Sequence, residues 1–124
     1  MSHTILVAED DRRIADLLRE LLTDEGFEIR IARDGVEALA AIEQDPPDVI
    51  VSDIKTPRLD GVQLATLVAA RRTPIPFILT SAHFDGADIP GTIFVAKPFD
   101  FDGIVDLIRQ FVEEETTEPD APMR

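Results

Sequence analysis

"DVIVSDIKTPRLDG", residues 48–61, decides how the rest of the chain is read. Val49 to Ser52 read as a short buried strand, and the run ends on Asp53. A carboxylate that closes an apolar run is costly unless it emerges into a polar site. Asp53 therefore needs partners elsewhere in the chain, and a fold that delivers them.

The flanking segments supply that fold. Ile5–Ala8 is another short apolar run, and from Asp11 the period changes, with Ile14, Leu17, Leu18, Leu21 and Leu22 on one helical face and Gly26 as the stop. "FEIRIA" (27–32) alternates with a period of two, which suits a strand near a sheet edge. Asp34 and Glu37 form an acidic capping box before a helix carrying Val36, Leu39 and Ala40, which Pro46 and Pro47 end. Gly61 to Arg72 is predicted helical, with Leu64, Leu67 and Val68 on its buried side. "FILTS" (77–81) and "IFVA" (93–96) are two further strands, and Phe101, Ile104, Val105, Ile108, Phe111 and Val112 mark a last helix. Strands too uniformly apolar for one wet face, alternating with helices, predict a doubly wound α/β domain around a five-stranded parallel sheet.

The chain carries 25 acidic against 12 basic side chains, a formal net charge of −13. Such a chain repels phosphate backbones and anionic lipid, so direct nucleic-acid or membrane binding is not expected. There is no cysteine for a disulfide framework, and no apolar run is long enough for a membrane span or a signal peptide. A soluble, cytoplasmic protein is the expectation. One domain is expected over residues 1–113, followed by an acidic, disordered tail at 114–124, "EETTEPDAPMR".

In sheets of this kind the site lies beyond the carboxyl ends of the strands, where the winding direction switches. The first strand ends at Glu9 and Asp10, the third at Asp53, the fourth at Ser81 and the fifth just before Lys97. Three acids, a hydroxyl and a lysine are thus predicted to converge at one edge. Three ionised carboxylates need a cation, and oxygen ligands without histidine or cysteine favour Mg2+. A carboxylate beside Mg2+ can attack phosphorus and form an acyl phosphate. Lys97 would then neutralise charge on the phosphoryl group, and the Ser81 hydroxyl would bond one of its oxygens.

"ILVAEDD" (5–11), "VIVSDIKTPRLDG" (49–61), "ILTSA" (78–82) and "FVAKPF" (94–99) resemble, in order, the four motif blocks of the response-regulator receiver domain of two-component signalling. The likeness covers roughly residues 4–113. It implies a flavodoxin-like strand order 2-1-3-4-5, Mg2+ as cofactor, and a histidine kinase or histidine phosphotransfer protein as donor. On that likeness Asp53 is the phosphoacceptor, and Glu9 and Asp10 are the acidic pair, Asp10 touching Mg2+ directly. The backbone carbonyl of Lys55 would be a further metal ligand. Ser81 is the switch hydroxyl, with Thr80 a strand residue, and Phe94 lies where the family has its switch aromatic. Lys97 is followed by Pro98 in what the family usually holds as a cis bond. Lys55 and His83 sit where the family flanks the path of attacking water, and so would tune the lifetime of the phosphoryl group.

Other roles compete for some of these residues. Asp11 is expected to cap the first helix, and Phe94 is equally consistent with a core position. His3 reads as a surface residue. The enzyme alternative is an Mg2+-dependent phosphohydrolase with an aspartate nucleophile. Haloacid-dehalogenase-type enzymes, however, carry a second acid two residues on, where this chain has Lys55. A receiver-like scaffold that is never phosphorylated is a third reading. A phosphoacceptor signalling domain, rather than an enzyme acting on other molecules, is the expectation.

Only fifteen residues separate Ser81 from Lys97, fewer than receivers normally have there. Gly86, Pro90 and Gly91 disfavour a helix, and Phe84, Ala87 and Ile89 make no sustained stripe. The family's fourth helix is therefore expected to be absent or cut to about one turn, which would uncover apolar surface for an unknown output protein at 82–92. With only the acidic tail after residue 113, a stand-alone receiver is expected.

Overall fold

The computed structural model describes residues 2–82, 89–97 and 100–117, the last four as backbone only. Along the chain run β1 (Thr4–Ala8), α1 (Arg12–Asp24), β2 (Glu28–Ala32), α2 (Gly35–Gln44), β3 (Val49–Asp53), α3 (Gly61–Ala69), β4 (Phe77–Ser81), β5 (Thr92–Ala96) and α4 (Phe101–Thr117). All strand pairs are parallel, and the sheet order is β2-β1-β3-β4-β5. This is the doubly wound, flavodoxin-like order expected.

Because side chains alternate along a strand, each strand feeds both faces. Leu6, Ile50, Phe77 and Leu79 join Ala38 and Ile42 of α2 and Leu64, Ala65 and Val68 of α3 in one core cluster. Ile5, Val7, Val49, Val51 and Ile78 join Leu18 and Leu22 of α1 and Ile104, Ile108 and Val112 of α4 in the other. The edge strand β2 also closes α2, since Arg30 donates through Nη2 to the carbonyl of Asp45 at 2.7 Å, a cation on a helix C-terminus.

Four helix positions differ from expectation, among them Ala40, which is exposed. Leu17, Val36 and Leu67 are 40%, 41% and 46% exposed, while Ala15, Ala38 and Ala65 of the same helices are buried. The buried face of each helix is shared by these alanines with Leu18, Leu22, Ile42, Leu64 and Val68, and Leu17, Val36 and Leu67 lie beside it, half wet. α3 also stops at Ala69, short of Arg72. α4 is described as far as Thr117, four residues past the expected domain boundary. Glutamate is a good helix former and extends the last turns at little cost.

Among the described residues there are four helices, and none lies between β4 and β5. His83, Phe84, Gly86 and Ala87 of that crossover, Pro98, and the tail from Glu118 lie outside the described residues. Ile89, on the far side of the crossover, is buried in the α2/α3 cluster, with Phe94 packed against it. No described helix is long and apolar enough to cross a membrane.

Candidate functional site

The parallel register fixes which side chains meet. Ala8 pairs with Ser52, Asp53 with Thr80, and Ser81 with Ala96, so the residues that end these strands, or follow them, share one edge of the sheet. The ladder continues one step further, as the Lys97 N–H donates to the carbonyl of Ser81 at 2.8 Å. From there the Lys97 side chain reaches across the end of β4. Its Nζ lies 3.2 Å from Oδ2 of Asp53, with the two side chains 27% and 14% exposed. Asp53 thus meets the cation that its place at the end of β3 demanded.

Glu9, the residue after β1, is buried, and one of its oxygens accepts from the Asp11 N–H at 3.1 Å. Burial pushes its carboxyl above the usual range; the Asp11 hydrogen bond and Lys97 oppose this, while the charges of Asp53 and Asp10 add to it. Asp10 is exposed beside it. Asp11 is turned to α1 as expected, capping the helix by accepting from the Arg13 N–H at 2.9 Å.

Among the described residues no three histidine, cysteine, aspartate or glutamate side chains are close enough to hold a metal ion unaided. The donor chemistry nonetheless fits Mg2+. All the donors are oxygens, Asp10 faces solvent, and the surplus negative charge registers at Glu9. Mg2+ commonly takes only one or two carboxylates and completes its shell with waters and phosphate oxygens.

Ser81 is buried at the end of β4. Phe94 pairs with Leu79 in the β4–β5 register, two residues before the Ser81–Ala96 pair, which puts Phe94 and Ser81 on one sheet face. Thr80 is an interior strand residue on the opposite face, its hydroxyl 3.5 Å from the carbonyl of Ser52.

The loop after Asp53 is pinned to the sheet at its root. Ile54 N–H donates to the Thr80 carbonyl at 2.9 Å, and Gly61 N–H donates to the Ile54 carbonyl at 2.8 Å. A Cβ on Gly61 would lie 2.5 Å from the carbonyl oxygen of Asp53, so only glycine lets α3 start here. Lys55 is exposed on this loop. Three residues that sequence reasoning gave no part in the site hold the loop's outer limb: Arg58, Asp34 and Gly35. Asp34 caps α2 as expected, yet Glu37 closes on the Arg33 N–H rather than on that of Asp34. The Glu37 N–H and then Arg58 hold the Asp34 carboxyl below the usual carboxylate range. The one signal in the sequence was "PRLDG" itself, where a bulky residue follows proline at a tight turn.

The family described as response regulator receiver domain matches residues 5–109. The chain is 32% identical over 126 residues to the response regulator MprA of Mycobacterium ulcerans, covering 97% of this chain and 54% of that protein. It is 35% identical over 105 residues to MprA of Mycobacterium bovis BCG, covering 80% and 46%. The chain thus spans about half the length of the curated relatives it matches. Among solved structures, the receiver domain of Francisella response regulator 1452 superposes with a TM-score of 0.82 at 29% identity, covering 92% of this chain and 99% of that one. The chemotaxis response regulator CheY4 of Vibrio cholerae shares the fold at a TM-score of 0.77 and 23% identity, over 90% and 99%.

Proposed function

The chain belongs to the response regulator receiver domain family, and from that membership we propose that it accepts a phosphoryl group on Asp53 from a phosphohistidine donor. The donor is a histidine kinase or a histidine phosphotransfer protein. The observation that carries the reading is the 3.2 Å contact between Lys97 Nζ and Asp53 Oδ2 across the end of β4. A lysine so placed is already positioned for the charge that a phosphoryl group would bring.

In the transfer, a carboxylate oxygen of Asp53 bonds to phosphorus as the P–N bond of the donor breaks. The electron pair leaves on the imidazole nitrogen, which takes a proton from solvent. Lys97 passes from the carboxylate to a phosphoryl oxygen, and the Ser81 hydroxyl donates to another. Mg2+, held by Asp10, Asp53 and the Lys55 carbonyl with Glu9 behind them, supplies charge neutralisation on the phosphoryl oxygens when bound. As Ser81 is drawn toward the phosphoryl group, Phe94 on the same face can fill the space it leaves, a two-state repacking that a protein partner reads. This reading concerns the receiver and does not depend on what else it is joined to.

Intact-mass measurement after treatment with acetyl phosphate tests it. One phosphoryl group per chain is expected, dependent on Mg2+ and absent in Asp53→Asn. Stoichiometric phosphorylation of Asp53→Asn would overturn the assignment.

A further inference from the structure

Arg58 is the one non-glycine residue with a positive φ, 69°, among the described residues. L side chains occupy this left-handed region at a cost, and such strain persists where the surroundings hold it. Here the holding group is Asp34, 24 positions away. The Arg58 Nε donates to Asp34 Oδ2 at 3.1 Å, and the Arg58 Nη2 lies 3.0 Å from the same oxygen. The other oxygen, Oδ1, accepts from the Glu37 N–H at 2.8 Å, so the carboxylate that grips Arg58 is itself fixed by the first turn of α2.

Beneath this pair the loop lies directly on that helix. Gly35 N–H donates to the Pro57 carbonyl at 3.2 Å, and a Cβ on Gly35 would fall 1.8 Å from the carbonyl oxygen of Leu59. Within the loop, Leu59 N–H donates to the Pro57 carbonyl at 2.7 Å, and the Thr56 hydroxyl donates to the Leu59 carbonyl at 2.7 Å. The segment after Asp53 is therefore clamped at both limbs, by β4 at Ile54 and by α2 at Pro57–Arg58. Lys55 hangs between the two clamps.

We propose that the Arg58–Asp34 pair is a positioning device for phosphoryl acceptance, holding the 55–59 loop so that the backbone at Lys55 stays fixed relative to Asp53. The inference rests on Asp53 being the phosphoacceptor. Neither Arg58 nor Asp34 touches the reacting atoms; both act through the loop. Their effect belongs to the rate of phosphorylation and to the affinity for Mg2+, not to stability alone.

Substitutions separate the two. Glycine adopts a positive φ freely, so Arg58→Gly is expected to melt at or above the parent's temperature. It should nevertheless be phosphorylated by acetyl phosphate roughly 3- to 10-fold more slowly, since small misplacements of positioning groups cost rate. Mg2+ binding to the unphosphorylated chain, read by calorimetry, should weaken about threefold with it. Asp34→Asn still offers α2 a capping oxygen but offers Arg58 no charge, and should show the same loss of rate. The double variant should be no slower than either single one, because both remove one interaction. Arg58→Lys should recover part of the rate.

Parent-like phosphorylation of Arg58→Gly overturns the inference, as do losses that multiply in the double variant. A rate loss that follows a lowered melting temperature in both single variants also overturns it, as an effect of stability. Failure of the parent chain itself to be phosphorylated would instead overturn the reading of Asp53, and this inference with it.

Discussion

Glu9 shows what a single residue gives up for the site. Burial, with the charges of Asp53 and Asp10 nearby, raises the Glu9 carboxyl above its usual range, and one backbone N–H and Lys97 offset only part of that. Glu9→Gln keeps the shape and the acceptor for Asp11 while removing the charge. It should raise the metal-free melting temperature, and should gain less from added Mg2+ than the parent does. Differential scanning calorimetry with and without Mg2+ reads both; a variant that melts lower than the parent would show that the charge is already compensated. Lys55 is the opposite case, an exposed cation. Its exposed ammonium can lie over a phosphoryl group on Asp53 and shield it from water. Lys55→Ala should shorten the acyl-phosphate lifetime about twofold or more, the scale of an exposed ion pair, and release of inorganic phosphate measures it. An unchanged lifetime would count against shielding.

At the scale of elements, the contact between α2 and the loop after β3 leaves less room for a Cβ at Gly35 than exists at any other described glycine. Gly35→Ala would drive a Cβ into the Leu59 carbonyl and should lower stability by about 1–3 kcal/mol. A Cβ on Gly103, in the first turn of α4, meets nothing within 4 Å, so Gly103→Ala should raise stability by up to roughly 1 kcal/mol. Urea unfolding of the two variants tests the contrast. The Asp34 carboxyl has its folded pKa below its unfolded one, so its contribution is full above the unfolded value and is lost as pH falls through the folded one. Asp34→Asn should therefore lose stability at neutral pH and converge on the parent in strong acid; a constant gap between the two at every pH would contradict this. These elements also show where sequence reading stops. The strands were legible, because an apolar run ending on a charge has few other meanings, and so was the Asp11 cap. The helix faces were legible only in part: Leu18, Leu22, Leu64 and Val68 are buried as expected, whereas Leu17 and Leu67 drew attention by size and Ala15 and Ala65 are buried instead. The Arg58–Asp34 pair joins residues on separate elements through an unusual backbone angle at Arg58, and beyond the "PRLDG" turn nothing local points to its partner.

For the whole molecule, the four strand ends share an edge because every strand runs the same way, so the site was implied once the sheet was read as parallel. The edge was therefore legible in the sequence, while the 3.2 Å contact of Lys97 with Asp53 across β4 needed the register. The crossover from Ser81 to Thr92 bears on how this sheet comes to exist. Residues 82–91 join β4 to β5, against 9–27, 33–48 and 54–76 for the other three crossovers. Bringing two strands together costs chain entropy that grows with the logarithm of the intervening length. The β4–β5 pair therefore carries the smallest closure cost of the parallel pairs and is the natural seed from which the sheet grows. Conservative truncations at the two ends of the sheet expose the order of events. Ile78→Val and Ile93→Val should slow refolding in proportion to the stability they remove, while Ile29→Val on β2 should mainly speed unfolding. The reverse pattern would place the seed at β1–β2. The shortest crossover of the sheet would then also fix the place where folding begins.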